Sequence, residues 1–174
     1  MAVKSLLNWL DPIRLDEREK FLKKSVTHLI GASPSNLTLY RLAFLHSSAS
    51  KESVAENYKE SNERLEFLGD SVLGMITATY LFQKFPFKDE GFLTEIRSRM
   101  VSRESLNVIG RKLGLEEVIE YETQRKNAMS RTSMYGDALE AFVGAIYLDK
   151  GFAFTQDFII KKILTQYFDL DAVV

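Results

Sequence analysis

The stretch NERLEFLGDSVLG, residues 62–74, sets the strongest constraint on the fold. Read as a helix, it places Glu63, Glu66 and Asp70 on or near one face, at spacings of three and four. Leu65, Phe67, Leu68, Val72, Leu73, Met75 and Ile76 take most of the remaining circumference, with Gly69, Ser71 and Gly74 between them. Such a helix has little surface to give to water, and a bare charge in an apolar interior is costly. Its carboxylates therefore belong in a cleft or beside a compensating charge. The stretch SMYGDALEAFVGAIYLDKGF, residues 133–152, repeats the anomaly. There Asp137 and Glu140 stand three apart among Met134, Leu139, Phe142, Val143, Ile146, Tyr147 and Leu148.

Glycine inside a helix costs about 1 kcal/mol against alanine, and close approach of a second helix offsets that cost. Gly69 and Gly74 in the first stretch, and Gly136 and Gly144 in the second, predict that the two helices lie against each other. Their acidic faces then converge, gathering Glu66, Asp70, Asp137 and Glu140 into one pocket. Clustered carboxylates repel unless protonated or bridged by a cation. Oxygen-only ligands favour a hard ion, magnesium or manganese, and the natural substrate of such a site is a phosphate ester. A solvated acidic face fits the same spacing, but two nearly all-apolar helices with the same anomaly weigh against it. A di-iron bundle needs Glu-x-x-His pairs, and no glutamate here has a histidine three residues later.

Helical periodicity dominates the rest, with no convincing alternating strand, so the expected class is all-α. Helices are expected over residues 14–30, 36–50, 61–84, 92–113, 115–121, 134–148 and 154–168. Residues 51–61 and 122–133 read as polar connections. The first 20 residues read as a short amphipathic extension helix, too interrupted for a signal peptide or a membrane span. At 174 residues the chain is expected to be one domain, residues 1–174. It has no cysteine, which excludes disulfides, thiolate metal sites and cysteine nucleophiles, and suits a cytoplasmic setting. The net charge of −1 means that any nucleic-acid surface has to come from local clustering. Only His28 and His46 offer imidazoles, and a structural, hydrogen-bonded His46 is the preferred reading.

NERLEFLGDSVLG resembles the signature of the ribonuclease III endonuclease domain. GDALEAFVGAIYLDKGF, residues 136–152, resembles that family's second motif, and EGFLTEIRSRMVSRESLNVIGRKLGL, residues 90–115, the helical region between them. The likeness runs over about residues 21–168. It implies an all-helical, homodimeric, magnesium-dependent enzyme, with manganese a possible substitute. Its substrate would be double-stranded RNA, cut to 5′-phosphate and 3′-hydroxyl ends with short 3′ overhangs, in rRNA and mRNA processing. No small-molecule cofactor and no membrane is implied. Carried over by position, Glu66, Asp70, Asp137 and Glu140 are the catalytic and metal-binding carboxylates, with Asp70 and Glu140 nearest the hydrolytic water. Glu63 and Glu90 match supporting acidic positions of the cleft, and Phe67 matches an aromatic that plugs into the partner subunit.

There are departures from the family pattern. Ser47 stands where a basic residue is common, the spacer before the signature is long, and the connection ETQRKNAMSRTS lacks glycines. Nothing in the 174 residues encodes the αβββα double-stranded-RNA-binding domain that typical bacterial members carry, and an excised catalytic domain is the expectation. Candidate phosphate contacts are Arg97, Arg99, Arg103, Arg125, Lys126 and Arg131, with a solvated, ion-paired helix face as the plain alternative for each. The competing function is a catalytically silent RNA-binding or ribosome-associated protein of the same fold. The presence of all four carboxylates argues against it.

Overall fold

A computed structural model describes residues 15–50, 53–55, 58–122 and 128–171. Helix α1 (Glu17–Ile30) opens on a capping box: Asp16 accepts from the Glu19 N–H at 2.7 Å and Glu19 accepts from the Asp16 N–H at 3.1 Å. It closes on Gly31 in the left-handed region, at φ 74°. Asn36 caps α2 (Leu37–Ala43), which is shorter than the periodicity predicts. Phe44 turns the chain after it, at φ −99° and ψ 4°. Leu45 bridges Glu120, and the Leu45 carbonyl accepts from the N–H of Asn62, fixing where the next helix begins.

The polar stretch expected to be a plain connection contains a small antiparallel hairpin, β1 (Ser53–Ala55) and β2 (Tyr58–Lys59), with Ser53 opposite Lys59. Such a short hairpin has no room for the alternation that marks a strand in sequence. Helix α3 (Glu63–Lys84) follows, then α4 (Glu90–Met100), α5 (Arg103–Lys112) and a single tight turn, Leu115–Glu117. The continuous helix expected over 92–113 is thus two. Ser102 takes extended backbone and its Oγ accepts from the Ser105 N–H, so it ends one helix and caps the next.

Helix α6 (Ala128–Lys150) begins six residues before the predicted start. The last helical run comprises α7 (Phe152–Phe158), a wider turn over Ile159–Leu164 and α8 (Thr165–Tyr167). The wide turn keeps Ile159, Ile163 and Leu164 all on the buried side. The amphipathic helix expected over 1–20 falls largely on residues 1–14, outside the described residues.

The core is built around α6. Ala138, Leu139, Ala141, Phe142, Val143, Ala145 and Ile146 are all fully buried, so the middle of this helix is enclosed on every side except the one that carries Asp137 and Glu140. It lies against α3, α5, α2 and α7. The Phe142 ring meets Tyr40, Phe44 and Phe158 at centroid distances of 5.3–5.8 Å. Helix α3 is long and apolar enough to cross a membrane, but Leu65, Val72, Leu73, Ile76 and Leu81 are buried in this core.

The glycine expectation is met at two positions and corrected at two. A Cβ on Gly69 would collide with the Glu140 carbonyl oxygen and stand 2.6 Å from its carbonyl carbon; one on Gly144 would collide with the Leu65 carbonyl oxygen. These two glycines are the crossing point of α3 and α6. Gly74 faces open space, and Gly136 approaches α5 instead.

The far end of α6 is held by Asp149. Its carboxylate accepts from the N–H groups of Ser35 and Asn36 at 3.0 and 2.8 Å and from the Tyr40 hydroxyl at 2.9 Å. Burial pushes this carboxyl up, but the hydrogen bonds outweigh it and hold it below its ordinary value. The sequence reading treated this position only as a helix end.

Candidate active site

Ser61 starts the acidic face of α3: its hydroxyl donates to the Glu63 carboxylate at 3.2 Å and accepts from the Glu63 N–H. One turn on stands Glu66, and a further turn on Asp70. On α6, Asp137 and Glu140 project from the turns that cross Gly69. The crossing makes a cleft of about 450 Å³ lined by Glu63, Glu66, Phe67, Asp70, Arg103, Asp137 and Glu140, with Val101, Leu106 and Gly136 completing its wall.

Glu66, Asp137 and Glu140 each bring a carboxylate oxygen within 4.8 Å of the others, and all three are half-buried. Asp70 and Glu63 line the same cleft but are exposed. Burial pushes the Glu140 carboxyl up to about 8, and Asp70, Glu66 and Asp137 push the same way, with Arg103 pulling against them. Glu66 is raised by burial first, then by Asp137 and Glu63. Charge repulsion of this kind is relieved by a bound cation. Oxygens sharing one magnesium, at about 2.1 Å each, stand no more than about 4.2 Å apart. Closing the present spacing to that value needs only small side-chain rotations, so the donor set fits a hard divalent ion.

A profile of the ribonuclease-III-like family matches residues 36–167. The chain belongs to that family. Ribonuclease 3 of Azobacteroides pseudotrichonymphae is 39% identical over 171 residues, which is 98% of this chain and 63% of that protein. Ribonuclease 3 of Bacteroides thetaiotaomicron is 40% identical, over 97% of this chain and 53% of its own length. The chain thus spans a little over half the length of the curated relatives it matches. Among solved structures, the nuclease domain of a Campylobacter jejuni ribonuclease III aligns with a TM-score of 0.73 and 33% identity, over 83% of this chain and 97% of that one.

Within this ribonuclease-III-like fold the other candidates separate. Glu90 does not line the acidic cleft of its own protomer. It opens α4, accepts a hydrogen bond from Thr94 Oγ1 at 2.8 Å, and lines a second groove with Phe82, Leu93 and Arg97. The reason is the length of α3: the 16 residues from Glu66 to Phe82 carry the chain about 24 Å along the helix before α4 starts. Arg97 shares that second groove, and Arg99 is paired with Glu95 on its own helix. Arg103 stands in the acidic cleft itself. Arg125, Lys126 and the side chain of Arg131 lie outside the described residues.

Phe67 is 78% exposed, with Met75 and Phe82 also exposed along α3. His46 Nδ1 accepts from the Ser48 N–H at 3.1 Å and lies 2.8 Å from Ser48 Oγ, the structural arrangement the sequence suggested. Sequence reasoning missed Asn107, which bonds across from α5 to α6 at the wall of the cleft. An amide four residues after Arg103, in a helix interior where such side chains seek backbone partners, is the available signal.

Proposed function

We propose that the chain is a magnesium-dependent endoribonuclease that hydrolyses phosphodiester bonds in double-stranded RNA, with manganese able to substitute. The observation that carries this reading is the convergence of the Glu66, Asp137 and Glu140 oxygens within 4.8 Å in an open cleft. Those three side chains would hold the ion, which would supply charge stabilisation at the phosphate and lower the pKa of a nearby water. Asp70 and Glu140 flank the attacking water. Its oxygen bonds to phosphorus as the bond to the 3′ oxygen breaks, leaving a 5′-phosphate and a 3′-hydroxyl. One proton leaves the water and one is taken up by the departing oxygen. Recognition rests on A-form shape, phosphates and 2′-hydroxyls rather than base sequence.

Two copies acting on one duplex, one per strand, would give staggered cuts with short 3′ overhangs, and the exposed face of α3 supports such a dimer. Phe67, Met75 and Phe82 form an unpartnered apolar stripe on it. If two α3 helices pair antiparallel, Phe67 of each protomer meets the other's groove beside Phe82, where Glu90 stands. Glu90 then approaches the partner's cleft, which is how a residue remote from its own cleft serves a supporting role. Processing of rRNA and mRNA in the cytoplasm is the corresponding cellular role.

The test is incubation with a long RNA duplex in magnesium, in chelator, and with Glu140→Gln. Cleavage is expected only from the parent chain with magnesium. Cutting that survives chelation or the substitution overturns the reading. Binding without cutting by the parent chain in magnesium establishes the silent alternative.

A further inference from the structure

Among the described residues, Arg103 is the one positive side chain lining the acidic cleft. It is the first residue of α5, and it also lines the adjoining groove of about 390 Å³ with Glu104, Asn107, Val108 and Arg111. The ion pairs among the described residues do not include it. Its placement is nevertheless fixed, because Asn107 clamps the backbone on both sides. Asn107 Nδ2 donates to the Arg103 carbonyl at 2.9 Å, and Asn107 Oδ1 accepts from the Gly136 N–H at 2.9 Å. Gly136 directly precedes Asp137 and packs on α5: a Cβ there would stand at ordinary contact distance, 3.4 Å from the Asn107 backbone nitrogen and 3.5 Å from the Arg103 carbonyl oxygen. The clamp therefore ties the base of the arginine to the helix turn that presents a cleft carboxylate.

We propose that Arg103 binds a non-bridging oxygen of the scissile phosphate, and that Asn107 is the positioning residue that sets it there. This rests on the reading of the cleft as the site of RNA hydrolysis. With one divalent ion among the ionised carboxylates of Glu66, Asp70, Asp137 and Glu140 the cluster keeps a net negative charge, and the phosphodiester is itself anionic and gains negative charge as water adds to it. A guanidinium carried on this anchored turn supplies positive charge at the edge and a planar fork matched to phosphate oxygens. Three other arginines along α4 and α5 are differently employed. Arg97 belongs to the second groove and Arg99 to Glu95, while Arg111 stacks 4.8 Å over the Tyr135 ring, at the far end of the groove that Arg103 opens. The duplex strand thus leaves the cleft along α5, from Arg103 toward Arg111.

The experiment compares the parent chain with Arg103→Gln, Arg103→Lys, Asn107→Ala, the Arg103→Gln/Asn107→Ala double variant, Arg18→Gln and Glu140→Gln. Single-turnover cleavage of a duplex is measured at saturating RNA in magnesium, and binding is measured with calcium in place of magnesium across a salt series. Arg103→Gln is expected to slow cleavage about 100-fold or more, and to reduce the slope of log affinity against log salt by about one. Arg103→Lys should keep the binding slope while losing part of the rate, and Arg18→Gln, whose side chain pairs with Glu120 outside the cleft lining, should stay within about twofold. Asn107→Ala should slow cleavage in the parent background and add nothing to Arg103→Gln, as expected for a residue acting through the arginine. A cleavage rate for Arg103→Gln within about twofold of an active parent overturns the proposal while leaving the nuclease reading intact. An unchanged salt slope overturns it whether or not the chain cleaves. An additive double variant removes the role given to Asn107. Loss of cleavage by the parent chain itself marks failure of the underlying reading.

Discussion

Replacing Gly69 by alanine tests the arrangement that creates the cleft. The added methyl would collide with the Glu140 carbonyl oxygen and stand 2.6 Å from its carbonyl carbon and 2.9 Å from the Gly144 nitrogen. Carbon atoms in contact prefer about 3.5–4.0 Å, so α3 and α6 must part by roughly 1 Å. None of the atoms struck belongs to a side chain that can swing away. Overpacking costs about 1–3 kcal/mol when neighbours can adjust, and a clash with a helix backbone belongs at or above the top of that range. Alanine returns about 1 kcal/mol of helix propensity. The net loss is about 2 kcal/mol or more, which for a chain of this size lowers the melting temperature by roughly 4–8 °C. Parting the helices also moves Glu66 away from Asp137 and Glu140, so the stabilisation by magnesium should shrink with the melting temperature. Calorimetry of Gly69→Ala with and without magnesium reads both effects, with Gly74→Ala, whose Cβ meets nothing within 4 Å, as the comparison in the same helix. A Gly69→Ala chain as stable and as responsive to magnesium as the parent refutes the glycine crossing.

The raised Glu140 carboxyl makes the chelated chain sensitive to pH. Its folded value of about 8 exceeds the ordinary 4.5, so its contribution is complete below pH 4.5 and is lost as pH rises through 8. Thermal melts in chelator should fall across that window, and those of Glu140→Gln should not show this loss. Magnesium should raise the melting temperature of the parent chain most at the alkaline end, where the carboxylates are ionised, and should barely move Glu140→Gln. Asp149→Ala leaves two N–H groups and the Tyr40 hydroxyl without their acceptor, and should cost about 3 kcal/mol or more in denaturant unfolding. Phe67→Ala should weaken self-association in equilibrium sedimentation while leaving the monomer's helical circular dichroism unchanged.

The parts of the fold legible in the sequence were those where one local rule decided the outcome. Gly31 ends α1 and Asn36 caps α2 by local chemistry alone, whereas the Asp16 cap starts α1 three residues later than the apolar spacing indicates. The two acidic apolar stretches announced a buried crossing because charge and hydrophobicity conflicted within one turn. The break at Ser102 was hidden because apolar spacing continues through it. Only a hydroxyl that bonds the Ser105 N–H, with Ser105 in turn donating to the Arg99 carbonyl, gives it away. That break is what turns Arg103 into the cleft, so its place could not be read from spacing. Glu90 illustrates the same limit: its neighbourhood depends on which end of α3 the chain returns from. The hairpin and the wide turn at Ile159–Leu164 carry too few residues for any period to register.

Asp149 has a consequence at a distance. It lies nine residues beyond Glu140 on one uninterrupted helix, about 13 Å along the axis. By gripping the Ser35–Asn36 backbone it forbids α6 to slide lengthwise, and so fixes the axial height at which Asp137 and Glu140 meet the helix opposite. Damage to the small loop at residues 33–36 would therefore be felt as poor ion capture at the other end of the rod, in a protein whose acidic side chains are all intact.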